Sequence, residues 1–183
     1  MDSFEVTHDE VVHSWAMFRL VRRWLKSPAG ETFERTYVST PGAVACVAIT
    51  DANNVVMVQQ FRATFDDYVL ELPAGMRDVE GEDPEVTAAR ELTEETGYVA
   101  GGMDFLGRCF SSPGVTDSVV EVYLATELVE GIAQPHGPEE QSLQVVEISL
   151  QEALRMVENG SIRDAKTAYG LMLTARLHPH LLV

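Results

Sequence analysis

Between Gly75 and Tyr98 the chain reads Gly75-x6-Glu82-x7-Arg90-Glu91-Leu92-x-Glu94-Glu95-x-Gly97-Tyr98, with glutamates set at fixed intervals around one arginine. Asp83 and Pro84 open a helix here. Asp83 can cap free N–H groups, and Pro84 takes a first helical position that needs no amide proton. Gly97 closes the helix as its left-handed C-terminal residue. Over a helix running Pro84 to Thr96 at about 100° per residue, Glu91 and Glu95 point within about 40° of each other, and Glu94 lies about 60° to the other side of Glu91. Three acids therefore share one edge. Val86, Ala88, Ala89, Leu92 and Thr96 fill the adjoining arc, so a packed face is bordered by carboxylates.

Acids held this close repel one another, and a positive partner must offset the repulsion. Oxygen ligands without His or Cys favour Mg²⁺ or Mn²⁺ over zinc, and Mg²⁺ characteristically takes one or two protein carboxylates together with substrate phosphates and waters. Arg90 can brace the acids through charge-assisted hydrogen bonds from within the same helix. Taken singly, each glutamate reads as part of a solvated helix face. The ordered set, preceded by Glu71-Leu72-Pro73-Ala74-Gly75 and closed by Gly97, reads as a site for a divalent metal.

These residues resemble the Nudix box, Gly-x5-Glu-x7-Arg-Glu-U-x-Glu-Glu-x-Gly-U with U a bulky apolar residue. Every fixed position matches. One departure is visible: six residues, Met76 to Gly81, stand between Gly75 and Glu82 where the pattern has five. The extra residue falls before Pro84, so it lengthens the loop and leaves the helical spacing alone; what it puts in question is the aim of Glu82. From about Trp15 to Thr174 the chain is similar to the ADP-ribose pyrophosphatase branch of the Nudix hydrolases. The marks of that branch are Pro41-Gly42-Ala43-Val44, Gln59-Gln60-Phe61-Arg62, the Glu71-to-Gly75 lead-in, Ser112-Pro113-Gly114 and the late pair Glu139-Glu140.

The resemblance implies an α/β (α+β) Nudix fold, a mixed β-sheet sandwiched between helices, with an extra N-terminal antiparallel strand region. Residues 1–40 would form that strand region, lining substrate and commonly pairing across a homodimer, and residues 41–183 the hydrolase domain, all in one structural unit. Glu91, Glu95 and the backbone carbonyl of Ala74 would hold Mg²⁺ or Mn²⁺, with Glu94 close by and Arg90 bracing the set. Either Glu139 or Glu140 would complete the site or activate the attacking water. Arg62, Arg35 and Gly114 would contact substrate.

A chain of 183 residues is about one domain long and can bury on the order of 70% of its unfolded surface. Its formal net charge of −16 argues against nucleic acid or an anionic membrane as a partner, because both call for a basic surface. An anionic substrate must then be met by local arginines and metal. The N-terminus, Met-Asp-Ser-Phe-Glu, has no basic segment leading into an apolar stretch, and no apolar run reaches the length of a membrane span. A cytoplasmic protein is the default expectation. Cys46 and Cys109 sit in strand-like apolar sequence and read as reduced thiols.

The elements that must position the acids are also legible. Phe18 to Lys26 and Thr32 to Val38 read as strands around the turn Ser27-Pro28-Ala29-Gly30, a hairpin outside the main core. Ala43 to Thr50 is a nearly continuous apolar run; a turn at 51–54 leads to a second strand, Val55 to Phe61. Met103 to Phe110, Val119 to Thr126 and Gln144 to Ile148 read as further strands. Ser149-x-x-Glu152 is a capping box opening a helix to about Glu158, and Asp164 caps a last helix through Leu177.

Several residues outside the acidic helix carry a second reading. Arg62 either offers its planar donors to phosphate or pairs with Asp66 or Asp67. Arg35 either reaches substrate or is a plain surface arginine. Trp24 is expected to pack in the N-terminal hairpin rather than stack on adenine. Ser118 stands where several relatives carry a glutamate near the terminal ribose, with Asp117 as the substitute acid. His136 reads as a loop histidine without a catalytic part, and His178 and His180 as frayed surface.

The expected activity is hydrolysis of the pyrophosphate link in a nucleoside diphosphate sugar, with ADP-ribose giving AMP and ribose 5-phosphate. The alternatives are another nucleoside diphosphate derivative (a GDP-sugar, a dinucleotide or a coenzyme A compound), or a non-catalytic nucleotide sensor on the same scaffold. The small-molecule nucleotide is the expected partner in each case.

Overall fold

The computed structural model describes residues 3–134 and 142–182, so His136, Glu139 and Glu140 lie outside the described residues. The chain divides into two compact units: one runs up to Gly42 and includes Phe110–Val119, and the other holds Ala43–Cys109 and the chain from Val120 onward.

The first unit contains a three-stranded antiparallel sheet, β1 (Glu5–Trp15), β2 (Phe18–Lys26) and β3 (Thr32–Ser39), in that spatial order. The β2 and β3 strands fall where their sequence indicates. The sequence pattern does not delimit β1, for a physical reason: it is exposed along all its length, so no alternation of buried and exposed residues marks it. Asp9 grips Arg23 through two bonds of 2.8 Å across β1 and β2. Trp24 packs in this sheet, its ring 5.2 Å from that of His8. The Ser111–Ser118 loop is tied to β3, where the Val38 amide donates to the Val115 carbonyl at 2.8 Å.

The second unit is a mixed seven-stranded sheet with helices on both faces. Its main path runs β10 (Gln144–Ser149), β5 (Asn54–Arg62), β4 (Ala43–Ile49), β9 (Val119–Glu130) and β8 (Tyr98–Phe110). The short strands β6 (Asp67–Glu71) and β7 (Ala74–Met76) pair with β5 and β4. The β4–β9 pair is parallel, whereas β4–β5, β4–β7, β5–β6 and β5–β10 are antiparallel.

The near-continuous apolar run of β4 serves both faces by strict alternation. Val44, Cys46 and Ala48 pack with Ala88 and Leu92 of helix α1 (Pro84–Thr96), and Ala45, Val47 and Ile49 pack with residues of α2 (Leu150–Glu158) and α3 (Ala165–Leu177). Leu92 is fully buried, worth about 2 kcal/mol relative to exposure. Each of these helices starts where the sequence caps it. Asp83 accepts from the Glu85 amide, Ser149 from the Glu152 amide and Asp164 from the Thr167 amide. Gly97 ends α1 at φ 80°, the left-handed region in which a side chain is strained.

The tail corrects one expectation. Pro179–Leu182 forms a 3-10 turn, and Leu181 and Leu182 pack on the α2/α3 side of the core, so the segment carrying His180 is anchored rather than frayed. Cys46 and Cys109 are free thiols. Among the described residues no helix is long and apolar enough to cross a membrane.

Candidate active site

β7 brings the acidic helix and the Glu71–Gly75 lead-in together. It lies against the first residues of β4, with Gly75 opposite Val44 and Ala74 opposite Ala45, and Val44 belongs to the layer that packs on α1. At Gly75 the helix comes so close that an added Cβ would lie 2.0 Å from the carboxyl carbon of Glu91. Any side chain there would displace the glutamate, which is the physical reason for glycine at the head of the motif. The next contact down the helix is as direct: the Ala74 amide donates to Glu95 at 3.0 Å, and Glu95 is 7% exposed.

Arg90 is the hub of the cluster. Its Nη1 lies 2.9 Å from Glu91 and 3.0 Å from Glu94, and its Nη2 lies 3.3 Å from Glu82 and 3.4 Å from Asp78. Despite the longer loop, Glu82 therefore still faces the helix; hydrogen bonds from Thr87 and Arg90 hold its carboxyl below the ordinary range. One guanidinium shared among four carboxylates leaves Glu91 with too little compensation. Burial, reinforced by repulsion from Glu94 and Asp78 and opposed by Arg90, pushes its pKa up to about 7.

The donor set suits a hard divalent cation. It is made of carboxylates and a peptide segment, the glutamate at its centre is ionised only against resistance, and the Gly75 cradle keeps that glutamate against the β7 backbone. Among the described residues, no three His, Cys, Asp or Glu side chains are already closed on a common point as ligands. Each acid leans on its own protein partner instead, Glu91 and Glu94 on Arg90 and Glu95 on the Ala74 amide.

A second charged cluster lies behind the same segment. Arg62 donates from Nε and Nη2 to the two oxygens of Glu71 at 2.6 and 2.8 Å, so its partner is Glu71 rather than Asp66 or Asp67. Asp67 pairs with Arg163 at 3.1 Å. Lys166 closes on Glu71 from the other side and also donates to Asp164 at 3.0 Å. Burial alone would raise the Glu71 pKa, but the hydrogen bonds and charges of Arg62 and Lys166 outweigh it and hold the carboxyl below its ordinary value. These residues, with Thr64, Phe65 and Val69, line a cleft of about 570 Å³.

Sequence reasoning assigned no part to Lys166, Asp78 or Thr167. Lys166 carried a signal: a lysine in the first turn of a helix sits at the positive end of the dipole, where a cation is disfavoured unless something else holds it. Arg35 and Gly114 belong to the other unit. Arg35 donates to the Glu34 carbonyl at 2.7 Å and lies 4.8 Å over the Phe33 ring, and a Cβ added at Gly114 would meet nothing within 4 Å. Asp117 is engaged by the Thr40 amide at 2.9 Å.

A mixed sheet between helices carries an arginine-braced glutamate helix seated on a glycine of the neighbouring strand, a scaffold built around an acidic centre. A family model described as the NUDIX domain matches residues 39–168. The chain belongs to the Nudix family and is a hydrolase of pyrophosphate bonds. It is 39% identical over 162 residues to an ADP-ribose pyrophosphatase of Bacillus subtilis (strain 168), covering 88% of this chain and 87% of that protein. It is 38% identical over 158 residues to a methanol dehydrogenase activator of Bacillus methanolicus, covering 86% and 85%. A solved structure of an ADP compounds hydrolase shares the fold with a TM-score of 0.81 at 23% identity, over 98% of this chain and 97% of that one.

Proposed function

We propose that the chain hydrolyses ADP-ribose to AMP and ribose 5-phosphate in a Mg²⁺-dependent reaction, with Mn²⁺ able to replace Mg²⁺. The observation that carries this reading is the acidic edge of α1 seated on Gly75, where Glu91 shares the Arg90 guanidinium with Glu94, Glu82 and Asp78. Likeness to an ADP-ribose pyrophosphatase over 88% of the chain supports the substrate.

In this account Glu91, Glu95 and the Ala74 carbonyl hold the divalent ion. Bound there, it supplies charge neutralisation at the phosphate oxygens and a water of lowered pKa. Arg90 keeps Glu91 and Glu94 from splaying apart. Water adds to phosphorus as the bridging P–O bond breaks, the displaced phosphate leaves with the bridging oxygen, and Glu139 or Glu140 accepts the water's proton. Arg62 reaches phosphate with a nitrogen other than the two that hold Glu71; Arg35 and Gly114, in the first unit, are proposed substrate contacts of that unit.

One observation favours a second substrate reading. Ser118 stands at the ribose-acid position, and Asp117, the substitute, already accepts from the Thr40 amide. A different nucleoside diphosphate derivative, such as a GDP-sugar, a dinucleotide or a coenzyme A compound, would make no demand on that acid. We also propose a homodimer formed through the N-terminal sheet, where Phe4, Val6, Val11, Val12 and Trp15 are exposed, an apolar surface of the kind that partners cover.

The test is purified protein with Mg²⁺ or Mn²⁺ and a panel of diphosphate-linked nucleotides, with products separated chromatographically. AMP released from ADP-ribose well ahead of the other compounds is the expected result. Faster cleavage of another compound would move the assignment to it, and cleavage of none would overturn the catalytic reading.

A further inference from the structure

The structure assigns Lys166 and Thr167, in the first turn of α3, as positioning residues for the Glu71–Ala74 segment that carries the proposed metal-holding carbonyl; this inference rests on the metal reading above. The segment is fixed at successive polar groups. The Glu71 carboxylate is clamped between Arg62 and Lys166. The Leu72 amide donates to Thr167 Oγ1 at 2.9 Å. The Pro73 carbonyl accepts from the Cys46 amide at 2.9 Å, and the Ala74 amide donates to Glu95. The direction of the Ala74 carbonyl follows from these restraints.

Two of the restraints come from α3, and neither is explained by the needs of the helix. Lys166 sits where the helix dipole disfavours a cation, yet its side chain is only 16% exposed and lies between two carboxylates, Glu71 and Asp164. Thr167 is fully buried; its hydroxyl donates to Asp164 at 2.6 Å and accepts from Leu72. Asp164 thus caps α3 and, with one oxygen, orients both residues that hold the segment. A buried acid that loses one of its two cations must move, attract a proton or draw Arg62 inward. Either movement, and the loss of charge pairing that protonation brings, loosens the anchor three residues from Ala74.

The sign of the effect separates positioning from plain electrostatics. Removing a positive charge near a cation site tightens metal binding if charge is all that matters. Loss of positioning weakens it. We would measure Mn²⁺ binding to the full-length chain, without substrate, by the electron paramagnetic resonance signal of free Mn²⁺. Partners lying behind metal ligands are typically worth about 10- to 100-fold in affinity, so Lys166→Met and Thr167→Val should each weaken Mn²⁺ binding about tenfold, and Lys166→Arg should return it to within about threefold of wild type.

Mn²⁺ bound by Lys166→Met as tightly as by wild type, or more tightly, would overturn the inference. Where Lys166→Met does not fold, Thr167→Val decides alone, since it keeps both charge and volume; wild-type affinity in that variant is equally contrary. Wild-type protein that binds no Mn²⁺ would sink the metal reading itself, whereas normal wild-type binding with unaffected variants sinks only the role of α3.

Discussion

Glu71 is buried and Glu91 half-buried, one on either side of a short strand, and they have opposite electrostatic fates. Glu71 is met by Arg62 and Lys166, and its carboxyl is held below the ordinary range. Glu91 shares a single arginine with Glu82, Glu94 and Asp78, and its pKa rises to about 7. Burial raises both groups. The number of cations per acid, not depth, decides which becomes a structural clamp and which can take an external cation.

The contrast breaks most visibly in unfolding. Glu71→Ala strands Lys166 and Arg62 beside a hole and should cost about 3 kcal/mol, read as a lower urea midpoint at constant slope. Without added metal, Glu91→Gln should cost nothing or stabilise, because it removes one of four acids crowded on Arg90. Equal losses for the two variants would erase the distinction.

Acid and base titration sharpen the same contrast. Glu71 has a depressed folded pKa, so its contribution is present above the ordinary glutamate value and is lost as pH falls through its own lower value. Glu91 has a raised folded pKa, so its contribution is present below the unfolded value and is lost as pH rises through about 7. Metal-free stability of Glu71→Gln should therefore lose the acid-side decline, and that of Glu91→Gln the decline approaching neutrality, both measured as urea midpoints from pH 3 to 8. The smallest effect is expected from Arg155→Ala on α2. This ion pair with Glu152 is short, 2.6 Å, but exposed, and its loss should change the unfolding free energy by no more than about 0.5 kcal/mol.

How much was legible in the sequence differs between these regions for the same physical reason. The Glu91 side of the site is local: its helix, both caps, the acid spacing and the bracing by Arg90 are properties of a continuous segment with period 3.6, and the structure places them where the spacing requires. The Glu71 side is not local. Its partners come from 9 and 95 residues away, and no periodicity joins Lys166 to Glu71. The planar donors of Arg62 are evident from its residue type, but only the pairing of β5 with β6 shows where those donors go. The exposed strand β1 and the packing of Leu181 and Leu182 escaped for a related reason, since both depend on surroundings that the segments themselves do not encode.

The central claim is that the acids on α1 form the centre of a metal-dependent pyrophosphate hydrolase. Its most direct test is ADP-ribose turnover by Glu91→Gln and wild type, side by side at saturating Mg²⁺. Since even outer partners of a metal are worth about 10- to 100-fold, loss of a ligand should lower turnover by at least about 100-fold, with a melting temperature no lower than that of metal-free wild type. Wild-type turnover in Glu91→Gln would contradict the account.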